Sequence, residues 1–278
     1  NFPEYQQVNI DMSLDAFKAI FYYEYFHRIL GRLIGLLFLL PFMYFFFRGM
    51  IKKPLVPRLL VMFILGGLQG LLGWYMVKSG LVKDPHVSQY RLTAHLTAAV
   101  AIYVYILWVA FGLLIIKTDA TSHRRLYRYG VGLISLIILM IMSGGFVAGT
   151  RAGLAYNTFP LMNGAFIPPN LYAMEPVWLN YFENITTIQF NHRMIAYLLI
   201  LVIPPFCVLI RQVTKTKRLQ RTAAVFMAML AIQITLGVST LLASVPVTLG
   251  VSHQGGAIIL LTIAVFITRD LKPSITAH

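Results

Sequence analysis

Long apolar runs alternate along the chain with short polar and basic segments. Each run is far longer than a β-strand and reaches the roughly 20 residues that a helix needs to cross a bilayer. The pattern predicts seven spans, at residues 19–47, 58–77, 91–116, 126–148, 189–210, 222–243 and 249–268. Backbone in lipid must satisfy its own hydrogen bonds, and the alternating segments of a β-barrel are absent. The expected fold is therefore an all-α integral membrane protein.

The composition excludes a soluble protein. Hydrophobic residues make up 58% of the 278-residue chain and charged residues only 12%, about half the charged share of a soluble domain. A formal net charge of +14 would suit nucleic-acid binding, but the basic residues fall in short clusters between the spans. Membrane lipid, and not nucleic acid, is the partner that this distribution predicts.

The basic clusters also orient the chain. They follow the first, third and fifth spans, whereas the other connections are poor in Lys and Arg. The positive-inside rule puts the basic loops in the cytoplasm or matrix and the 149–188 connection on the outer side. The Phe, Trp, Tyr and Pro content of that connection predicts a lid at the membrane interface, with room for a short helix.

The chain repeats itself at an offset of about 165 residues. One copy begins HRILGRLIGLLFLLPF at His27, and the other begins HRMIAYLLILVIPPF at His192. Three further pairs align, the last at a slightly smaller offset: Gln69 with Gln233, Gly73 with Gly237, and His95 with His253. Spans one to three are therefore predicted to repeat as spans five to seven.

The fourth span has no counterpart before the first. A symmetrical ancestor would have four helices in each half, so we expect eight spans, seven of them visible and the first lying upstream of residue 1. The predicted architecture is a parallel tandem repeat of four-helix bundles. Its halves are residues 1–117, which lack their first helix, and residues 118–278, which form a four-helix half.

Four histidines lie inside the predicted spans and mark candidate sites. They are His27, His95, His192 and His253, each 16–22 residues before the basic inner end of its helix. Histidine is costly in hydrocarbon, so four at similar depth, two in each half, indicate a function. Two imidazoles with no cysteine and few carboxylates suit a haem iron better than zinc. The alternative for each one alone is a ring satisfied by helix carbonyls.

Arg28 and Arg193 directly follow two of these histidines, at the outer membrane edge. Each guanidinium can pair with the anionic propionates of the haem held by its neighbouring histidine. Each can equally extend to the interface without any ligand. The sequence leaves both interpretations open.

Glu24 stands three positions before His27, and Gln189 stands three positions before His192. Residues at this spacing share a helix face. One interpretation is a simple ion pair between Glu24 and Arg28. The other is chemical, because a haem that only carries electrons needs no acid–base group, whereas a site of proton-coupled oxidation does. On that interpretation the N-terminal half is reactive and the C-terminal half holds a resident electron-transfer haem.

Several motifs resemble those of the haem A synthases of alphaproteobacteria and mitochondria. In chain order they are EYFHRILGRLIGL, QGLLGWYMVKSGL, VSQYRLTAHL, GGFVAGTRAGLAYNTFPLMNG, FNHRMIAY and SHQGGA. They extend over nearly the whole chain, and the family has eight spans, as the repeat predicts. The resemblance implies a haem-dependent oxidoreductase that converts the C8 methyl group of haem O to a formyl group, making haem A for cytochrome oxidase.

The resemblance also implies roles for individual residues. His192 and His253 match the ligands of a haem B cofactor, while His27 and His95 match the histidines of the substrate haem site. Glu24 matches the family's essential carboxylate. Some bacterial relatives have a pair of outer-loop cysteines, which this chain lacks, since it has one cysteine in all.

The expected location is the bacterial cytoplasmic membrane or the mitochondrial inner membrane, with the haem sites toward the outer side. The implied partners are the haem O substrate, an electron donor that is either ferredoxin-like or a quinol, and, as candidates, haem O synthase and cytochrome oxidase assembly factors. A homo-oligomer is compatible with the sequence. Two rival functions share the four histidines: a bis-histidine b-type cytochrome that exchanges electrons with quinone, and a haem chaperone for oxidase assembly.

Overall fold

A computed structural model describes residues 12–80, 87–115 and 123–273 of the chain. In these ranges, seven helices are long and apolar enough to cross a membrane. They are α1 (Leu14–Phe47), α2 (Val56–Gly80), α3 (Gln89–Leu114), α4 (Arg124–Gly149), α5 (Ile185–Val213), α6 (Lys217–Leu242) and α7 (Val247–Leu271). The prediction of an all-α membrane protein is confirmed. The predicted end of the third span, at residue 116, lies outside the described residues, and the helix upstream of residue 1 stays a prediction.

Polar caps extend two of the helices beyond their apolar runs. The Ser13 hydroxyl accepts a hydrogen bond from the backbone N–H of Ala16 at 3.3 Å, so α1 begins before the residues that would sit in lipid. The Asn184 side-chain oxygen accepts from the N–H of Thr186 at 3.0 Å in the same way. As a result, α5 has completed its first turn before it reaches the segment that carries Gln189 and His192.

The chain divides into two compact units, residues 1–102 and 103–278, and the boundary falls within α3. The N-terminal unit contains α1, α2 and the first part of α3. In this unit α1 packs on α2. The Phe38 ring stacks on the Phe63 ring with 6.2 Å between centroids.

In the C-terminal unit, α4, α5, α6 and α7 form a four-helix bundle in which each helix packs on two of the others. Fully buried side chains fill its core: Ile203, Phe206, Phe226, Leu261, Val265 and Ile267. The end of the bundle away from the histidines is closed by an ion pair. There Arg218 donates to both carboxylate oxygens of the buried Asp270, at 3.0 and 2.7 Å. The tandem repeat as a whole stays a prediction.

The long connection between α4 and α5 packs on α5. It leaves α4 through Arg151, which has a left-handed backbone with φ 55°. Two short 3₁₀ helices follow, Ala152–Leu154 and Val177–Tyr181. The Asn180 side chain, fully buried, donates to the carbonyl of Met174 at 2.8 Å. The connection is thus held by specific hydrogen bonds, which matters for the site beneath it.

Candidate functional site

The four-helix bundle of the C-terminal unit contains a cavity of about 220 Å³. Its walls are mostly aliphatic side chains of α4 to α7, and the α4–α5 connection contributes Gly153 and Phe159. Among its polar lining residues are Gln189, His192 and His253. Two of the four histidines singled out by the sequence therefore face one apolar space.

A serine of α4 orients His192. The Ser143 hydroxyl lies 2.7 Å from Nδ1 of His192 and donates its one hydrogen to the carbonyl of Met140 at 2.9 Å. With that hydrogen engaged, the hydroxyl oxygen can accept from the Nδ1–H of His192. This arrangement leaves Nε2 with its lone pair, as a metal ligand requires.

A glutamine and a glycine of α6 orient His253. The Gln233 amide nitrogen lies 3.2 Å from Nδ1 of His253 and donates to the carbonyl of His253 at 3.0 Å. One turn further along α6, a Cβ on Gly237 would lie only 2.8 Å from Cε1 of the ring. The imidazole can lie against α6 only because residue 237 has no side chain. The amide nitrogen only donates, so Nδ1 accepts in this contact; ligation through Nε2 requires the Gln233 amide to turn its oxygen toward an Nδ1–H.

The N-terminal unit contains the same set of contacts around His95. The Gln69 amide nitrogen lies 3.1 Å from Nδ1 of His95 and donates to the carbonyl of His95 at 2.9 Å. A Cβ on Gly73 would lie 2.9 Å from Cε1 of His95. His27 lies near His95 in this unit, and its side chain is exposed. The three residue pairs aligned in the sequence thus make matching contacts in their own units.

The two units differ at the position three residues before the first histidine. In the N-terminal unit, Arg28 pairs with Glu24, with 3.0 Å between Nη2 and Oε1 and side chains 48% and 38% exposed. The ion pair between Glu24 and Arg28 is therefore present. An exposed pair of this kind contributes only about 0–1 kcal/mol to stability, so the Glu24 carboxylate can leave the pair at little cost. The chemical interpretation stays open beside it.

In the C-terminal unit the corresponding residues bond to the α4–α5 connection. The Gln189 amide donates to the carbonyl of Tyr156 at 3.0 Å, and Nη2 of Arg193 donates to the same carbonyl at 2.9 Å. Both side chains are buried, at 3% and 7% exposure. Arg193 therefore does not extend to the interface. Its Nε and the Oε1 of Gln189 have no hydrogen-bond partner in the described part of the chain.

These residues fit a haem. Within the described residues, no three His, Cys, Asp or Glu side chains come together as a metal-binding group. What the C-terminal unit offers is two imidazoles held through Nδ1, an apolar cavity and an unpartnered Arg193 N–H. A haem iron takes two axial imidazoles, and the macrocycle needs apolar walls. His192 and His253 would hold it.

Two contributors to the site carried no recognisable sequence signal. Ser143 lies in the fourth span, which has no counterpart in the repeat, so no alignment could single it out. The carbonyl of Tyr156 is a backbone group that any residue would supply. Four other contributors did have a sequence signal. The internal repeat aligns Gln69 with Gln233 and Gly73 with Gly237 at the same offset.

Comparison with known proteins agrees with this geometry. The model of the COX15-CtaA family, described as cytochrome oxidase assembly protein, matches residues 1–265. The chain belongs to the haem A synthase family. It is 51% identical over 273 residues to the heme A synthase of Nitrosospira multiformis, covering 97% of this chain and 77% of that protein.

Other haem A synthases are similar over the same region. The heme A synthase of Parvibaculum lavamentivorans is 47% identical over 265 residues, covering 95% of this chain and 75% of the relative. The bovine heme A synthase COX15 is 41% identical over 280 residues, covering 98% and 68%. The family resemblance seen in the motifs is confirmed, and bacterial and mitochondrial relatives share it.

Proposed function

We propose that this haem A synthase oxidises the C8 methyl group of haem O to a formyl group, using Glu24 as its acid–base residue. The observation that carries the proposal is the contrast at one helix position. Both units support a histidine through the same Gln and Gly contacts, but the N-terminal unit has a carboxylate where the C-terminal unit has an amide.

Glu24 is suited to accept protons. Conversion of a methyl group to a formyl group is an oxidation that replaces carbon–hydrogen bonds by bonds to oxygen, so electrons must pass to an acceptor and protons must leave the substrate site. Glu24 lies on the same face of α1 as His27, and its carboxylate is partly exposed and held by a single weak ion pair. In our proposal His27 and His95 bind the substrate haem, and Arg28 pairs with a propionate.

The C-terminal unit would hold the cofactor. His192 and His253 are its proposed ligands, and the unpartnered Nε–H of Arg193 is the donor for a propionate. Haem B, when bound there, supplies one-electron transfer. A buried site with no carboxylate among the polar lining residues suits that task, because electron transfer alone needs no acid–base group.

The protein is a multi-pass membrane protein, and we infer finer details of its setting. Its membrane is the bacterial cytoplasmic or mitochondrial inner membrane, with the haem sites toward the outer side. The substrate half is residues 1–117 and the cofactor half is residues 118–278. The electron donor is ferredoxin-like or a quinol, and haem O synthase and oxidase assembly factors are candidate partners.

Chromatography of the haems extracted from the purified protein tests this function. Haem O or haem A beside haem B is expected. Haem B alone would instead favour the b-type cytochrome that exchanges electrons with quinone.

A further inference from the structure

We propose that Gln189 makes the C-terminal haem a resident one, because its amide fastens the α4–α5 connection over the cavity. The inference rests on the proposed haem B site. It assigns Gln189 a positioning role that is separate from iron ligation.

The segment fastened by Gln189 is a wall of the cavity. Gly153 and Phe159 face the cavity from this segment. Between them, the Asn157 side chain donates to the carbonyl of Leu241 in α6 at 2.8 Å. A ligand that leaves on this side must displace the whole segment, which is hydrogen-bonded to more than one helix.

Three side chains of α5 fasten the segment. Gln189, Arg193 and Tyr197 are spaced at four-residue intervals and therefore lie on one helix face. Gln189 and Arg193 donate to the Tyr156 carbonyl at 3.0 and 2.9 Å. Arg193 and Tyr197 donate to the Pro160 carbonyl, each at 3.4 Å. We call these three side chains the latch. A carbonyl oxygen only accepts hydrogen bonds, so every residue of the latch has to be a donor.

A glutamate at position 189 could not serve. An ionised carboxylate only accepts, so it would face the Tyr156 carbonyl across the 3.0 Å that the amide now bridges. It would also attract Arg193, four residues further on, as Glu24 holds Arg28 at 3.0 Å in the N-terminal unit. Both effects release the segment. The Glu/Gln difference thus separates a site built for a substrate that comes and goes from one built for a ligand that stays.

Within the described residues, two buried atoms of these side chains have no hydrogen-bond partner, and a ligand would satisfy one of them. Gln189 and Arg193 line the cavity, and the Oε1 of Gln189 and the Nε of Arg193 have no partner within the described ranges. Buried polar atoms are costly unless bonded. A ligand with an acceptor group at this wall would satisfy the Arg193 N–H, so its binding and the closure of the segment stabilise each other.

Release of haem B from the purified full-length chain to excess apomyoglobin tests the proposal. Gln189→Glu should release haem B at least about tenfold faster than wild type. The reason is that a buried hydrogen-bond donor is replaced by a carboxylate, which the Tyr156 carbonyl repels. Gln189→Leu, which removes the donor without adding charge, should give a smaller acceleration. Both variants should show the wild-type b-type spectrum before transfer, since the histidines are untouched.

Gln220→Glu is the matched control. Its amide also donates to a backbone carbonyl, that of Thr214 at 2.8 Å, but away from the cavity. Its release rate should equal that of wild type. Equal rates for Gln189→Glu and wild type, or equal acceleration in Gln220→Glu, would overturn the latch. If Gln189→Glu does not fold, Gln189→Leu decides alone, and an unchanged rate overturns the proposal.

Failure of the latch is distinguishable from failure of the proposed function. If the function is wrong, the haems extracted from wild-type protein include neither haem O nor haem A. If the haem B site is wrong, wild-type protein lacks haem B, or its b-type spectrum survives loss of His192 or His253. If only the latch is wrong, haem B is bound through those histidines but leaves all variants at one rate.

Discussion

The two units have an arginine at corresponding helix positions but differ in what it contacts. In the N-terminal unit Arg28 pairs with Glu24 on an exposed helix face. In the C-terminal unit Arg193 is buried and bonds to backbone carbonyls of a covering segment, beside a glutamine. Replacing a carboxylate by an amide changes the partner available to the arginine. One residue thus accompanies the difference between an exposed ion pair and a covered, apolar cavity.

What the units share is the support of the second histidine. His95 and His253 each lie against a glycine and within hydrogen-bond distance of a glutamine amide, with distances that agree to within about 0.1 Å. The difference between the units therefore does not lie in how these imidazoles are held. It lies in what surrounds the first histidine, which is His27 in one unit and His192 in the other.

The largest effect is expected from removing a proposed haem B ligand. His192→Ala or His253→Ala should abolish the low-spin b-type absorption spectrum, because the iron loses an axial imidazole. His27→Ala and His95→Ala should keep it, since they alter the other unit. Survival of the spectrum in His192→Ala and His253→Ala would contradict the assignment of the halves.

A smaller effect is expected from filling the space beside a histidine. In Gly237→Ala the new Cβ would lie 2.8 Å from the His253 ring, so the imidazole must move. Haem B affinity should fall about 10–100-fold, measured by haem titration of the apoprotein. Gly250→Ala is the control, because no atom lies within 4 Å of its Cβ position. Equal affinities for the two variants would show that the close contact does not position His253.

Gly73→Ala extends this test to the N-terminal unit. The Cβ would lie 2.9 Å from the His95 ring. Haem B should stay bound with wild-type affinity while haem A formation falls, measured by chromatography of extracted haems. A loss of haem B in this variant would mean that the two units do not hold separate haems.

The smallest effect is expected at Ser143. Ser143→Ala removes the acceptor for the Nδ1–H of His192, which lies 2.7 Å away, but leaves the ring in place. Loss of such an outer contact should lower haem B affinity about tenfold. Ser135→Ala on the same helix removes only a bond to the carbonyl of Val131 and should have no effect. If Ser143→Ala matches this control, the serine does not orient the ligand.

Much of the fold was predictable, because a helix in lipid must be long and apolar. The glycines beside the histidines were visible in the repeat, since Gly73 and Gly237 align with each other, but their contacts with His95 and His253 were not predicted. Close packing therefore restricts these two positions to glycine, and the internal repeat makes the restriction visible in the sequence.

The latch was not predictable, for a physical reason. Its acceptors are the carbonyls of Tyr156 and Pro160, which every residue type possesses, and their positions depend on the path of a long connection. The burial of Arg193 follows from the same path, so the sequence could not decide between a ligand and the interface. Gln189 differs from Glu24 in the sequence, but its role as a donor depends on the Tyr156 carbonyl opposite it.

The central claim is that Glu24 performs chemistry while the matching glutamine does not. Glu24→Gln tests it directly, by chromatography of haems extracted from the purified variant. Asp15→Asn, which removes another exposed carboxylate paired with a lysine on α1, is the control. We predict that Glu24→Gln keeps haem B and forms no haem A, while Asp15→Asn forms both. Wild-type levels of haem A in Glu24→Gln would contradict the claim.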